Sequence, residues 1–139
     1  MQKLNCILLV DDDLATNFYN KEIIRQLNCA EKVVVKTSVK EALDYLSSPF
    51  TKENPRPDLV LHDLNMPGVD GWDFIEAFNE MPYETQHKSM LVMLSNAINP
   101  TSDHREDLAS STAFIQKPLS EDRLAEIVEC ASIRRLAFA

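Results

Sequence analysis

Leu59-Val60-Leu61-His62-Asp63-Leu64-Asn65-Met66-Pro67-Gly68 is an apolar run that ends in a carboxylate and breaks at once into a Pro-Gly turn. Such a run reads as a buried strand, near residues 58 to 62, that delivers Asp63 to its C-terminal tip. Three other runs have the same form. Ile7-Leu8-Leu9-Val10 ends in Asp11-Asp12-Asp13, Met90-Leu91-Val92-Met93-Leu94 ends in Ser95, and Ala113-Phe114-Ile115-Gln116 ends in Lys117-Pro118. Val33-Val34-Val35 is the remaining strand, and the first strand covers roughly residues 4 to 10.

Helical spacing fills the intervals. Leu14, Phe18, Ile23, Ile24 and Leu27 mark one face of a first helix, and Val39, Ala42, Leu43 and Leu46 mark the next. Trp72, Ile75 and Phe78 follow the Pro-Gly turn, and a short polar helix over roughly 101 to 110 follows Asn99-Pro100. Ser120 reads as the N-cap of a last helix with Glu121 and Asp122 in its first turn and Leu124, Ile127, Val128 and Ala131 as its apolar face. Residues 47 to 57 carry too much proline for either element and form a loop, and Pro82 to Ser89 reads as a connection. The tail from Ile133 to Ala139 either extends the last helix or frays. Strands alternating with helices predict an α/β fold: a doubly wound, five-stranded parallel sheet with right-handed crossovers, covered on both faces by five helices.

At 139 residues the chain has the size of one domain with a real core. Acidic residues number 22 against 14 basic ones, a net charge of −8 that argues against nucleic acid as partner. No apolar stretch reaches the length of a membrane span and no signal core opens the chain, so a cytoplasmic location with no membrane contact is expected. Cys6, Cys29 and Cys130 are odd in number and far apart, and read as reduced thiols rather than a disulfide or metal site.

In parallel α/β sheets, ligands and chemistry gather outside the C-terminal ends of the strands. Here that edge collects an acidic cluster, a further aspartate, a hydroxyl and an ammonium. Crowded carboxylates repel unless a cation neutralises them, and Mg2+ is suited because it prefers hard oxygen ligands while bridging to phosphate. The set suits a Mg2+-assisted phosphoryl transfer onto Asp63.

Asp11 and Asp12 after strand one, Asp63 after strand three, Ser95 after strand four and Lys117-Pro118 after strand five together resemble the receiver domain of two-component response regulators. Asp63-Leu64-Asn65-Met66-Pro67-Gly68 with Asp70-Gly71 is the most specific piece. The resemblance covers nearly the whole chain and is closest to the stand-alone type. It implies a flavodoxin-like strand order 2-1-3-4-5, a single receiver unit over 1–139 with its core at about 4–132, and no output domain.

The resemblance further implies Asp63 as the phosphoacceptor, with Asp12 and Asp63 as direct Mg2+ ligands. The Asn65 main-chain carbonyl would be the third protein ligand, and Asp11 would act mainly through water. Lys117 would be the cation for the phosphoryl oxygens, and Ser95 and Phe114 the switch pair. The donor would be a sensor histidine kinase or histidine phosphotransfer protein. The signal would leave through a face made by the fourth helix, strand five and the last helix, roughly residues 97 to 132, towards a downstream protein or through a homodimer. The chain would then be a signalling domain that assists its own phosphorylation and dephosphorylation, and not an enzyme. Asp13 is also read as a helix cap, Phe114 equally as plain core, and His62 as packing. Sequence leaves the isomer of the Lys117–Pro118 bond open.

Three rival readings share this topology. A haloacid-dehalogenase-like phosphatase would need a DxDx[TV] motif, and Asp11-Asp12-Asp13-Leu14-Ala15 breaks it at Ala15. A nucleotide-binding module would need a glycine-rich loop, and the chain holds only Gly68 and Gly71. A pseudo-receiver that binds partners without phosphorylation would not need the full acidic, hydroxyl and lysine set.

Overall fold

Strands that are apolar on both faces need cover on both sides, and the intervening helices supply it. The computed structural model describes residues 3–66, 71–96 and 112–137. In chain order the elements are β1 (Leu4–Val10), α1 (Leu14–Leu27), β2 (Ala30–Lys36), α2 (Val39–Ser47), β3 (Leu59–Asp63), α3 (Gly71–Asn79), α4 (Tyr83–Lys88), β4 (Met90–Ser95), β5 (Ala113–Gln116) and α5 (Glu121–Ala137). The strands form one parallel sheet in the order β2-β1-β3-β4-β5.

Alternation along each strand divides the core in two. Leu9, Leu61, Val92 and Leu94 pack with Ile24 of α1 and with Leu124 and Val128 of α5. Val10, Val60, Leu91 and Met93 pack on the other face with Ala42 of α2 and with Phe74, Ile75 and Phe78 of α3. Each fully buried Leu, Ile or Phe contributes about 1.5–3 kcal/mol relative to exposure. Local caps agree with this packing. Ser38 caps α2, with Glu41 N–H donating to Ser38 Oγ and Ser38 Oγ–H donating to Glu41 Oε2, both at 3.1 Å. Ser120 accepts from Arg123 N–H at the start of α5.

Three expectations need revision or restriction. Leu14 and Phe18, expected on the inner face of the first helix, are 74% and 68% exposed. Asn17 and Asn20 take the inner positions with Ile23 and Ile24, because Asn17 Nδ2 donates to the Asp11 carbonyl at 2.8 Å and turns that face towards the sheet. The Pro82–Ser89 connection contains the short helix α4, whose ends are tied by backbone bonds and by Arg134. The polar helix expected over roughly 101 to 110 lies outside the described residues, as does most of the proposed output face before strand five.

Helix α5 continues to Ala137 because its last turns are anchored. Arg134 Nε and Nη2 donate to the His87 and Gln86 carbonyls at 2.9 and 3.1 Å, satisfying carbonyls that α4 leaves without intrahelical partners. Arg135 Nη1 lies 3.3 Å from Asp58 Oδ2, and the same oxygen accepts from Asn5 N–H at 2.7 Å. Arg135 also reaches the Lys3 carbonyl. These contacts lie at the N-terminal edge of the sheet, opposite the strand tips. Cys6 and Cys29 are buried and Cys130 is exposed, all as free thiols. Among the described residues, no helix is long and apolar enough to cross a membrane.

Candidate functional site

Parallel register places the last residues of β1, β3, β4 and β5 side by side. Asp63 is the final residue of β3, 6% exposed, and Asp11 follows β1 at 4% exposed. Asp11, Asp12 and Asp63 each offer a carboxylate oxygen within 4.8 Å of the others. Burial, with the neighbouring charges of Asp63 and Asp12, raises the Asp11 carboxyl above its ordinary value, although the Asp13 N–H and Lys117 oppose the rise. Such a cluster is under repulsion and offers hard oxygen donors to a divalent cation.

Lys117 brings the compensating charge. Its Nζ lies 2.6 Å from Asp63 Oδ1. The lysine is held there by its own backbone, which donates to the Ser95 carbonyl at 2.8 Å, and the following Lys117–Pro118 bond is cis. The turn after Asp63 is fixed from several sides. Asn65 N–H donates to Asp63 Oδ1 at 2.9 Å, Leu64 N–H donates to the Leu94 carbonyl, and Asn65 Oδ1 accepts from Asn96 N–H at 3.1 Å. Gly71 closes the far side. A Cβ there would stand 2.8 Å from Leu64 Cδ1 and 2.9 Å from the Leu64 carbonyl oxygen, closer than side chains tolerate.

Sequence places the carboxylates and Lys117 at strand tips, and the structure brings all four groups together. Asp13 instead caps α1, accepting from Ala15 N–H and Thr16 Oγ1–H, which lower its carboxyl's pKa. Ser95 is buried at the end of β4, beside Asp63's strand. Phe114 lies on the face of the sheet that α3 covers, half-buried, with its ring 5.6 Å from that of Trp72. His62 is fully buried against Phe74, with ring centroids 4.2 Å apart. Its Nδ1 lies 2.8 Å from the Asp63 carbonyl, an acceptor, so Nδ1 carries the proton; Nε2 is buried with no partner among the described residues. Burial pushes this imidazole down from 6.5 to about 4. It packs.

Two contributors escape sequence reasoning. Asn17 holds the Asp11 carbonyl, and a polar residue at an inward helical position was its one signal. A cavity of about 270 Å3 beside Lys117 is walled by Ala15, Tyr19, Leu94, Pro118 and Leu119, and no sequence pattern announces it. Leu14 and Phe18 are exposed on α1, the helix that forms one wall of this cavity.

A family model described as the response regulator receiver domain matches residues 7–129. Response regulator Rre1 of Synechocystis sp. is 31% identical over 107 residues, which are 76% of this chain and 42% of that protein. Sporulation initiation phosphotransferase F of Bacillus subtilis is 30% identical over 128 residues, 88% of this chain and 90% of that one. The crystal structure of a two-component response regulator from Cytophaga hutchinsonii superposes with a TM-score of 0.79 at 27% identity, covering 95% of this chain and 99% of its own.

Proposed function

The chain belongs to the response regulator receiver domain family, and from that premise we propose that it accepts a phosphoryl group on Asp63 and signals through a protein surface. The observation that carries this reading is the convergence of three carboxylates on one edge with Lys117 Nζ 2.6 Å from Asp63. An Asp63 oxygen attacks phosphorus as the donor's P–N or P–O bond breaks, giving an aspartyl phosphate. Such transfers depend chiefly on positioning and charge neutralisation. The hydrogen bond from Asn65 N–H orients the carboxylate, and Lys117 moves from Asp63 to the incoming phosphoryl oxygens. Ser95 donates its hydroxyl to the same group, and Phe114 swings inward as Ser95 moves towards the phosphate, the second half of the switch.

The acidic cluster fits Mg2+ by donor type and by its internal repulsion, with Asp12, Asp63 and the Asn65 carbonyl as ligands and Asp11 acting through water. The ion would supply positive charge to the carboxylates and to the phosphoryl oxygens. The domain thus assists its own phosphorylation and dephosphorylation while having no separate substrate.

The donor is a sensor histidine kinase or a histidine phosphotransfer protein. The exposed Leu14 and Phe18, and the cavity beside Lys117, support an approach over α1, next to the nucleophile. Output leaves through the face that spans roughly residues 97 to 132, towards a downstream protein or a second copy. A cytoplasmic location suits such an exchange. Intact-mass spectrometry after incubation with Mg2+ and phosphoramidate tests the core of the proposal. The wild type gains one phosphoryl group and Asp63→Asn gains none; equal labelling of the two refutes it.

A further inference from the structure

Helix α3 meets the sheet through aromatic rings at two points along one row of side chains. Val10, His62, Met93 and Phe114 stand in register on β1, β3, β4 and β5. Phe74 of α3 lies 4.2 Å from the His62 ring, and Trp72 of α3 lies 5.6 Å from the Phe114 ring at an interplanar angle of 37°. Met93, between the two, is fully buried. The row therefore runs from the residue beside the phosphoacceptor to the switch aromatic, and α3 touches both.

We propose that Trp72 is a positioning residue for Phe114: its indole favours the inward ring and passes the ring's movement to α3 as well as along β5. The inference rests on the reading of Asp63 and Phe114 given above. Three features support it. A tilted pair with centroids 4.5–7 Å apart has the favourable geometry for aromatic rings, and among the described residues Phe114 has a neighbouring strand on one side only. Trp72 directly follows Gly71, which is packed so tightly against Leu64 that the start of α3 must move with the turn after Asp63. That turn is the part of the molecule closest to the transferred group. A shift at Asp63 therefore reaches Phe114 by a second route, through Leu64, Gly71 and Trp72, without passing through the Ser95 hydroxyl. A contact biases an equilibrium only by the difference it makes between two states. Here the inward ring has the contact and the outward ring lacks it.

Trp72 is the single tryptophan of the chain, so intrinsic fluorescence reads this contact directly. The experiment adds Mg2+ and beryllofluoride, a phosphoryl mimic, and follows bound fluorine by 19F NMR and tryptophan emission in parallel. In the wild type both signals change together. Phe114→Leu keeps the bound fluorine resonance and alters the size of the emission change, whereas Phe114→Tyr keeps both as in the wild type. Trp72→Ala weakens beryllofluoride binding roughly 2- to 10-fold, and Trp72→Phe restores it. Wild-type affinity in Trp72→Ala overturns the inference, as does a loss on Trp72→Ala that is undiminished in a Phe114→Leu background. Failure of the wild type to bind beryllofluoride at all refutes the phosphoacceptor reading itself and this inference with it.

Discussion

Replacing His62 with leucine isolates the energetic effect of a buried imidazole beside Asp63. In the folded chain the ring is neutral, its Nδ1–H bound to the Asp63 carbonyl, and its pKa lies at about 4 rather than 6.5 because burial disfavours the charged form. The unfolded chain takes up a proton near 6.5 and the folded chain does not until about 4, so stability falls as pH is lowered through that window. The contribution is fully present above 6.5 and fully lost below about 4. Between pH 7 and pH 5 the two values imply a loss of about 2 kcal/mol, roughly a 20-fold change in the folding constant. Asp11 acts in the opposite sense, since its raised carboxyl pKa lets the folded state bind a proton first on acidification. Only the difference between wild type and variant therefore isolates His62. Urea unfolding at pH 7 and pH 5 in EDTA, followed by circular dichroism, measures it. Relative to wild type, His62→Leu should gain about 2 kcal/mol on going from pH 7 to pH 5. It also removes the buried Nε2, which has no partner among the described residues and costs about 1–3 kcal/mol as an unsatisfied group. Parallel pH dependence in the two proteins would refute the account of a neutral, desolvated ring.

The carboxylate cluster and the far edge of the sheet give two more tests. Asp12→Asn relieves repulsion within the cluster and should stabilise the metal-free protein by up to about 1 kcal/mol. It should also abolish the Mg2+-induced rise in unfolding midpoint, which for the wild type is worth about 1.4 kcal/mol at ten times the dissociation constant. Thermal scans with and without Mg2+ decide both halves, and a Mg2+ response equal to the wild type's would contradict them. Arg135→Ala takes the cationic partner from buried Asp58, which keeps the Asn5 N–H, and should destabilise the fold by about 3 kcal/mol in urea titrations. A loss below about 0.5 kcal/mol would place that pair among ordinary surface ion pairs.

Four of the five strands could be read from sequence because each is an apolar run closed by a chemically distinct residue, and their parallel direction follows from the helices between them, while the strand order came with the family resemblance. Asp63, Asp11, Asp12 and Lys117 could be placed on one edge for the same reason, since strand ends in register are neighbours in space. What escaped notice depends on contacts between distant segments. The inward face of α1 is set by a bond from Asn17 to the Asp11 carbonyl, and this overrides the apolar spacing of Leu14 and Phe18. Helix α4 is six residues long and polar, too short to display a period. The Asp58–Arg135 pair spans 77 positions and Trp72–Phe114 joins two elements with β4 between them, so no local window contains either.

The anchoring of α5 has a practical consequence. Its 17 residues run from the reactive edge to the opposite edge, about 25 Å away, where Arg135 meets the Lys3 carbonyl. Both ends of the described chain therefore emerge together on the side remote from Asp63. A biotin, fluorophore or sensor-chip linker attached near Lys3 or Ala137 would orient every molecule alike, with the carboxylate edge facing solution.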